Sequence, residues 1–410
     1  MWTLRDVFLP GGEVADVVID GERITAIGPG AAAGSPSAED AAGRLLLPAF
    51  MDGHVHLDKA LIRDELREHD GTLTGAIEAI HERKRRYTVE DVRGRARSVI
   101  EASVRSGTTR LRSHVDVDTI GGLTPLEGVM AAAADCADIA EVRTIAFPQE
   151  GILRDPGAYA LMEAAMEAGA DVVGGMPHWE LDEGAQREHV GLCFDLAQKF
   201  DRDLDMHVDE SDDGGMRTLE MVADEALRRG YLGRVCAGHV CSLAAAPDDY
   251  AERVIDKCRR AAISIAANPV TNLVLQGRGD RGLIRRGLTR VGELRAAGVN
   301  VLFGQDCVKD GFYPFGRGSM LEVALISAHA AHLTSRSDLA FVLRAVTEAP
   351  ARAARLSDYG LKPGARADLQ LLPVPSWEEA LRLQPQPEKV WFAGRLVAEN
   401  SVVSKLHRRA

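Results

Sequence analysis

Residues 45–59 read LLLPAFMDGHVHLDK, a short apolar strand running through Pro48 and Gly53 into His54-Val55-His56. Side chains two apart on a strand leave the same face. Both imidazoles therefore reach one point about 2 Å from each ring nitrogen, the distance a divalent transition metal requires. Two histidines on the solvated side of a strand have the same spacing, so the remaining ligands decide the matter.

Three later segments supply them. Residues 202–210 (RDLDMHVDE) alternate apolar positions and carry His207 to the strand tip, 234–240 (RVCAGHV) do the same with His239, and 300–306 (NVLFGQD) end in Asp306. Two histidines from one strand, one from a second and an aspartate from a last make a nitrogen and oxygen set. It suits one Zn(II) or Fe(II) ion and leaves room for a water.

The middle of the chain alternates. Strands are predicted at 53–56, 109–115, 142–148, 171–176, 203–207, 235–239, 263–268 and 299–304, with helical periodicity at 89–105, 126–139, 158–168, 186–200, 218–229, 248–261 and 291–297. Eight strands alternating with helices count to a closed parallel barrel. No Gly-x-Gly-x-x-Gly follows the first strand, which removes the case for a dinucleotide fold. In a barrel the chemistry sits at the C-terminal strand ends, where His54, His56, His207, His239 and Asp306 all fall.

Both ends are β-rich. Strands at 3–9, 14–19 and 23–27, with turn residues Asp20-Gly21, are mirrored by 367–373, 389–392 and 395–398 around a helical turn at 377–382. The fold expected is α/β: a (β/α)8 TIM barrel over residues 51–359, with a small β-sandwich built from residues 1–50 and 360–410.

Composition narrows the function. The 410 residues are 46% hydrophobic, enough for a large core, and a net charge of -12 without a basic patch argues against nucleic acid. The runs 83–86 (RKRR) and Lys405, His407, Arg408, Arg409 read as a solvated helix face and a solvated end. Six cysteines without a CxxC read as reduced core residues. There is no 18-residue apolar window and no basic segment leading into an apolar one at the start. The expectation is a cytoplasmic homo-oligomer that takes a small-molecule substrate and binds no membrane.

Over nearly its full length the chain resembles the amidohydrolase superfamily and, within it, bacterial cytosine deaminases. The matching pieces are PAFMDGHVHLDK, AFPQEGI, ADVVGGMPH, HVDESDD, GHVCSLA, ANPVTNLVLQGRGD, GLTRVGELRAAGVNVLFGQD and GFYPFGRGSML. The resemblance implies one iron or zinc ion held by His54, His56, His207 and Asp306, with Glu210, His239 and Gln149 around the substrate. Residues 171–176 contain no lysine to bridge a second metal. Cytosine deaminases carry a second Asp after the metal-binding one, held to contact the pyrimidine, whereas this chain reads Gln305-Asp306-Cys307.

Hydrolytic deamination of an aminoheterocycle, with release of ammonia, needs a hydroxide at neutral pH. A Zn(II) or Fe(II) ion supplies it by lowering the pKa of water to about 7. Asp306 is expected to accept the water proton, and Glu210 to protonate a ring nitrogen from a partly desolvated position. His239 is expected to steady the developing oxyanion, and Gln149 to pair with an amide edge of the ring. His178, Cys307 and Phe312 are further substrate contacts, Cys307 favouring an apolar edge, a bulkier substituent or negative charge. His114 is assigned support, and Lys59 a pairing with Asp58 or Asp64. Two alternatives are an amidohydrolase acting on an alkylamino-triazine or cyclic amide, and a barrel without catalysis. The zinc signature of nucleic-acid-editing deaminases is absent.

Overall fold

The computed structural model describes residues 1–34, 38–68 and 73–407; Arg408 and Arg409 of the basic end lie outside them. Among the described residues, eight parallel strands form the central sheet: β1 (Phe50–Val55), β2 (Thr108–Asp116), β3 (Glu141–Phe147), β4 (Val172–Gly175), β5 (Asp203–Val208), β6 (Val235–His239), β7 (Ser264–Ala267) and β8 (Asn300–Phe303). Each pairs with the next in parallel, the register between β1 and β2 shifting at Phe50/Met51 and again between Asp52 and Val55. The ends meet where Asp306 N donates to His54 O at 2.7 Å and His56 N donates to Asp306 O at 2.9 Å. The barrel is thus closed by the backbone of three candidate site residues, His54, His56 and Asp306.

These strands are covered on both faces, and the charges they carry, such as Arg112 paired with Asp205 at 2.8 Å, are buried as well. Every residue of β1, β2, β4, β6 and β7 is buried, as expected when helices wrap a parallel sheet. The wrapping helices show why they form. In Val89–Arg105 the Thr88 side chain caps the Asp91 N–H, and Val92, Ala96, Val99, Ile100 and Ser103 recur at helical spacing on the buried face.

The termini join in one mixed sheet. Its path runs through Arg395–Glu399, Lys389–Phe392, Leu369–Leu372, Leu45–Pro48, Trp2–Phe8, Val14–Asp20 and Arg23–Gly28, and Ala38–Asp40 pairs with Trp2–Phe8. Trp2 stacks on Trp391 with ring centroids 5.2 Å apart, tying the first strand to the last hairpin. Two details differ from the sequence reading. The run 45–56 is split at Ala49: Leu45–Pro48 pairs antiparallel with Leu369–Leu372, and only Phe50–Val55 enters the barrel. Asp20 pairs with Arg23, so the hairpin turn is Gly21-Glu22, with Gly21 at φ +55.

Candidate active site

Four strand ends converge. β1 carries His54 and runs into His56, β5 carries His207, β6 ends on His239, and Asp306 follows β8. His54 is admitted because two neighbours lack side chains. A Cβ on Gly238 would stand 2.9 Å from His54 Cε1, and one on Gly304 would stand 2.7 Å from His54 Cβ.

The chain then bends out of the strand direction. Asp209, His239 and Asp306 take φ of +50, +69 and +62, left-handed backbone that costs a non-glycine residue about 1–3 kcal/mol unless its surroundings hold it. Asp209 is held: its Oδ1 accepts from Thr218 N at 2.8 Å and Thr218 Oγ1 at 2.6 Å, and its Oδ2 from Leu219 N at 3.1 Å. On a continuing strand Glu210 would face away from His207. The bend at Asp209 brings both to the same cavity.

His56 Nε2 lies 3.1 Å from His207 Nε2 and 3.3 Å from Asp306 Oδ1, and His54 Nε2 lies 3.5 Å from that same oxygen. Ligand atoms of His54, His207, His239 and Asp306 all fall within 4.8 Å of one another. Nδ1 of His54, His56 and His207 is buried with no hydrogen-bond partner. Burial, with the neighbouring histidines, pushes His54 and His207 well below the usual imidazole range. Burial and the Lys59 charge bring His56 to about 4. Burial works to raise Asp306, but contacts from His54 and His56 outweigh it and hold the carboxyl well below its usual range. Neutral imidazoles and an anionic carboxylate are the forms that ligate a divalent ion, so the residues present fit one.

His239 belongs to the same cluster but is engaged on both nitrogens. Asn272 Nδ2 donates to Glu210 Oε1 at 2.9 Å, so Asn272 Oδ1, 3.1 Å from His239 Nδ1, accepts from it. Glu210 Oε1 is 3.2 Å from that nitrogen, and His239 Nε2 is 3.3 Å from Asn268 Nδ2. His56 has no such competing partner. His54, His56, His207 and Asp306 could hold such an ion together, with His239 beside them in the same cluster. Burial raises the Glu210 carboxyl above its ordinary value, the attraction of His239 offsetting part of this.

Above the cluster lies a cavity of about 470 Å³. His56, His207, Glu210, His239 and Asp306 line it, together with Gln149, His178, Cys307 and Phe312, while His54 is sealed beneath. Burial, aided by His239, holds His178 at about 3, a neutral ring. His114 does not line the cavity; it packs under His54 at 4.1 Å between centroids and faces Asp205, which Arg112 pairs at 2.8 Å.

The sequence profile of the Amidohydrolase family matches residues 59–398. The chain belongs to this family. It is a metal-dependent amidohydrolase, a hydrolase acting on C–N bonds. A 5-methylcytosine deaminase from Klebsiella pneumoniae, solved with 5-fluorocytosine, superposes with a TM-score of 0.94 at 36% identity, covering 99% of each chain. A pterin deaminase of Rhizobium rhizogenes is 32% identical over 95% of this chain and 88% of its own. The N-isopropylammelide isopropyl amidohydrolase of Pseudomonas sp. (strain ADP) is 27% identical over 98% of both.

Two sequence expectations are corrected beside this site. Lys59 pairs with neither Asp58 nor Asp64: its Nζ donates to Asp116 Oδ1 at 2.6 Å and Gln149 Oε1 at 2.8 Å, and Asp64 takes Lys309. The RKRR run is no solvated face throughout, because Lys84 is buried between Asp116 and Asp118 at 2.6 Å each. Among the cavity residues that sequence reasoning missed are Met176, Trp179, Thr271, Leu275 and Arg278, and the pinning pair Asn268 and Asn272 also went unread. ANPVTNLVLQGRGD carried five of these, and its one usable signal was that length of polar and apolar residues directly after a strand. Among the described residues no helix is long and apolar enough to cross a membrane.

Proposed function

We propose that this amidohydrolase deaminates a small free aminopyrimidine carrying a substituent at position 5, 5-methylcytosine or a close relative, and releases ammonia. The observation that carries the reading is the convergence of Gln149, Glu210, His239, Asp306 and Cys307 on one cavity above His54, His56 and His207. The ion is zinc or iron, held by His54, His56, His207 and Asp306. When bound it lowers the pKa of an attacking water to about 7.

The residues divide the remaining work. Asp306, an anion at neutral pH, accepts the proton of the attacking water as oxygen bonds to the amino-bearing carbon. Glu210, raised by burial, gives a proton to the ring nitrogen next to that carbon. His239, steadied by Asn272, hydrogen-bonds the incoming oxygen. Gln149 and the neutral His178 hold the ring, and Phe312 covers it. The proton held by Asp306 passes to the amino nitrogen, the C–N bond breaks with release of ammonia, and the hydroxyl proton of the adduct returns to Glu210, leaving a carbonyl.

Cys307 supports the substituent. The attacked carbon has two ring neighbours, and with Glu210 serving the nitrogen the other is carbon 5. The residue following Asp306 is a thiol 3.8 Å from Asp306 Oδ1, weakly polar where a carboxylate would be hydrophilic and charged. The 36% identical relative bears the name 5-methylcytosine deaminase. The cavity volume favours a second reading, a bicyclic aminoheterocycle such as a pterin, and a pterin deaminase is among the relatives.

Purified protein loaded with Zn(II) or Fe(II) and offered cytosine, 5-methylcytosine, pterin and N-isopropylammelide distinguishes these. Ammonia release is expected with the highest kcat/KM on 5-methylcytosine. Release from pterin alone moves the assignment to the bicyclic class, and alkylamine release alone moves it to N-dealkylation.

A further inference from the structure

Lys59 belongs to the opening stretch, yet the metal chemistry gives it no task. Its side chain is 1% exposed, and its ammonium donates to Asp116 Oδ1 at 2.6 Å and to Gln149 Oε1 at 2.8 Å. Burial works against the charge, but Asp116 and Asp58 more than compensate and hold Lys59 above the usual lysine range. It is therefore always a donor. An ammonium has three N–H donors and no acceptor, whereas a primary amide has one oxygen acceptor and one donating nitrogen. Only the oxygen of Gln149 can face Lys59. The amide nitrogen is left toward the cavity, where its nearest protein partner is Met176 Sδ at 3.5 Å, a weak acceptor.

We propose that Lys59 is a positioning residue that locks the Gln149 amide with its N–H groups toward the substrate, so that the site selects rings presenting a hydrogen-bond acceptor there, such as the carbonyl of a pyrimidinone. The choice of pyrimidinone rests on the deaminase reading; the orientation of the amide does not. Without Lys59 the amide is free to turn about its terminal bond and present its oxygen, which a ring carbonyl cannot pair. Lys84 remains on Asp116 at 2.6 Å, so removing Lys59 leaves that carboxylate with a buried cation.

The test is a double-mutant cycle on the metal-loaded enzyme with 5-methylcytosine, using Lys59→Met, Gln149→Ala and the pair. A misdirected hydrogen bond costs about 1–3 kcal/mol, so Lys59→Met should raise KM about 5- to 150-fold with kcat within about threefold. In the Gln149→Ala background the same change should move KM by less than about twofold, since the two act as one unit. An equal fold-effect in both backgrounds makes Lys59 purely structural and overturns the inference. Neutron diffraction of the unsubstituted holoenzyme reads the amide directly. Deuterons on the cavity side of Gln149 are expected, and deuterons facing Lys59 overturn the inference even if Lys59→Met fails to fold. A wild-type enzyme that releases no ammonia from any pyrimidine sinks the deaminase reading and leaves the neutron map to decide the amide on its own.

Discussion

Cys307→Asp is the most searching perturbation of the substrate assignment. The thiol is 3% exposed, and its Sγ stands 3.8 Å from Asp306 Oδ1. A carboxylate there sets two negative charges about 4 Å apart, a repulsion of about 4 kcal/mol at an effective dielectric of 20. A bound divalent cation offsets much of this. The apoprotein should therefore lose about 2–4 kcal/mol of stability and recover part of it on metal loading. The catalytic consequence is opposite for two substrates. A methyl group against an apolar wall is worth about 1–3 kcal/mol, or 10–200-fold in kcat/KM, and a carboxylate forfeits it. The same carboxylate accepts a hydrogen bond from the exocyclic amine that both substrates share. The ratio of kcat/KM for 5-methylcytosine over cytosine should fall at least about tenfold. Cys307→Ser, similar in size and uncharged, should keep that ratio within a few-fold. Ammonia release by coupled assay, with metal content measured on each preparation, gives the ratio. A folded, loaded Cys307→Asp enzyme whose ratio equals that of the wild type removes Cys307 as a specificity determinant and leaves substrate choice to Gln149.

Other perturbations address the rest of the site. His207→Ala should lose bound metal, read by plasma emission spectrometry, because one of four ligands is gone. Asp306→Asn should keep at least part of its metal and show no turnover, since the amide coordinates but takes no proton; wild-type rates at saturating metal in either variant would refute the ligand assignment. Glu210→Gln should retain metal and lose at least about a hundredfold in kcat, the usual scale for a removed general acid, and an unchanged rate returns Glu210 to an acidic loop. Asp310 tests the electrostatics beside Cys307: burial raises its carboxyl to about 6, partly offset by the Tyr313 N–H, the Cys307 thiol, the Lys59 charge and the Phe312 N–H. A carboxyl raised in the folded state stabilises fully below its unfolded pKa, and that stability is lost as pH rises through about 6. Asp310→Asn should thus match the wild type near pH 4 and exceed it near pH 8 by up to about 3 kcal/mol in chemical denaturation; a constant difference across pH would contradict it.

How much of this was legible in the sequence follows from which forces act locally. The eight barrel strands could be read from their regular alternation with helical segments and from β-rich stretches ending in histidine or aspartate, although buried charges such as Arg110, Arg112 and Asp205 interrupt several of them. The helix at 89–105 could be read from its own periodicity, because the apolar face and the cap that Thr88 provides both act within a few residues. Lys84 could not be read: within RKRR it is indistinguishable from Arg85 and Arg86, and its burial depends on Asp116 and Asp118 arriving on another strand. The same holds for Lys59, whose true partners lie 57 and 90 residues away, beyond the neighbouring acids that local reading offers. The reach of Glu210 shows the limit most clearly. Three residues past His207 it has the wrong parity for a strand, and the left-handed turn that corrects it sits at Asp209, a residue type with no obligation to adopt one. What imposes the turn is Thr218 and Leu219, at the start of the next helix, whose N–H and hydroxyl groups hold the Asp209 carboxylate. The position of Glu210 is thus set by a helix N-terminus outside the residues that line the cavity. Loosening that grip with Thr218→Val should let Glu210 shift and lower kcat at least several-fold while bound metal, read by emission spectrometry, stays at the wild-type level; an unchanged kcat would refute the coupling.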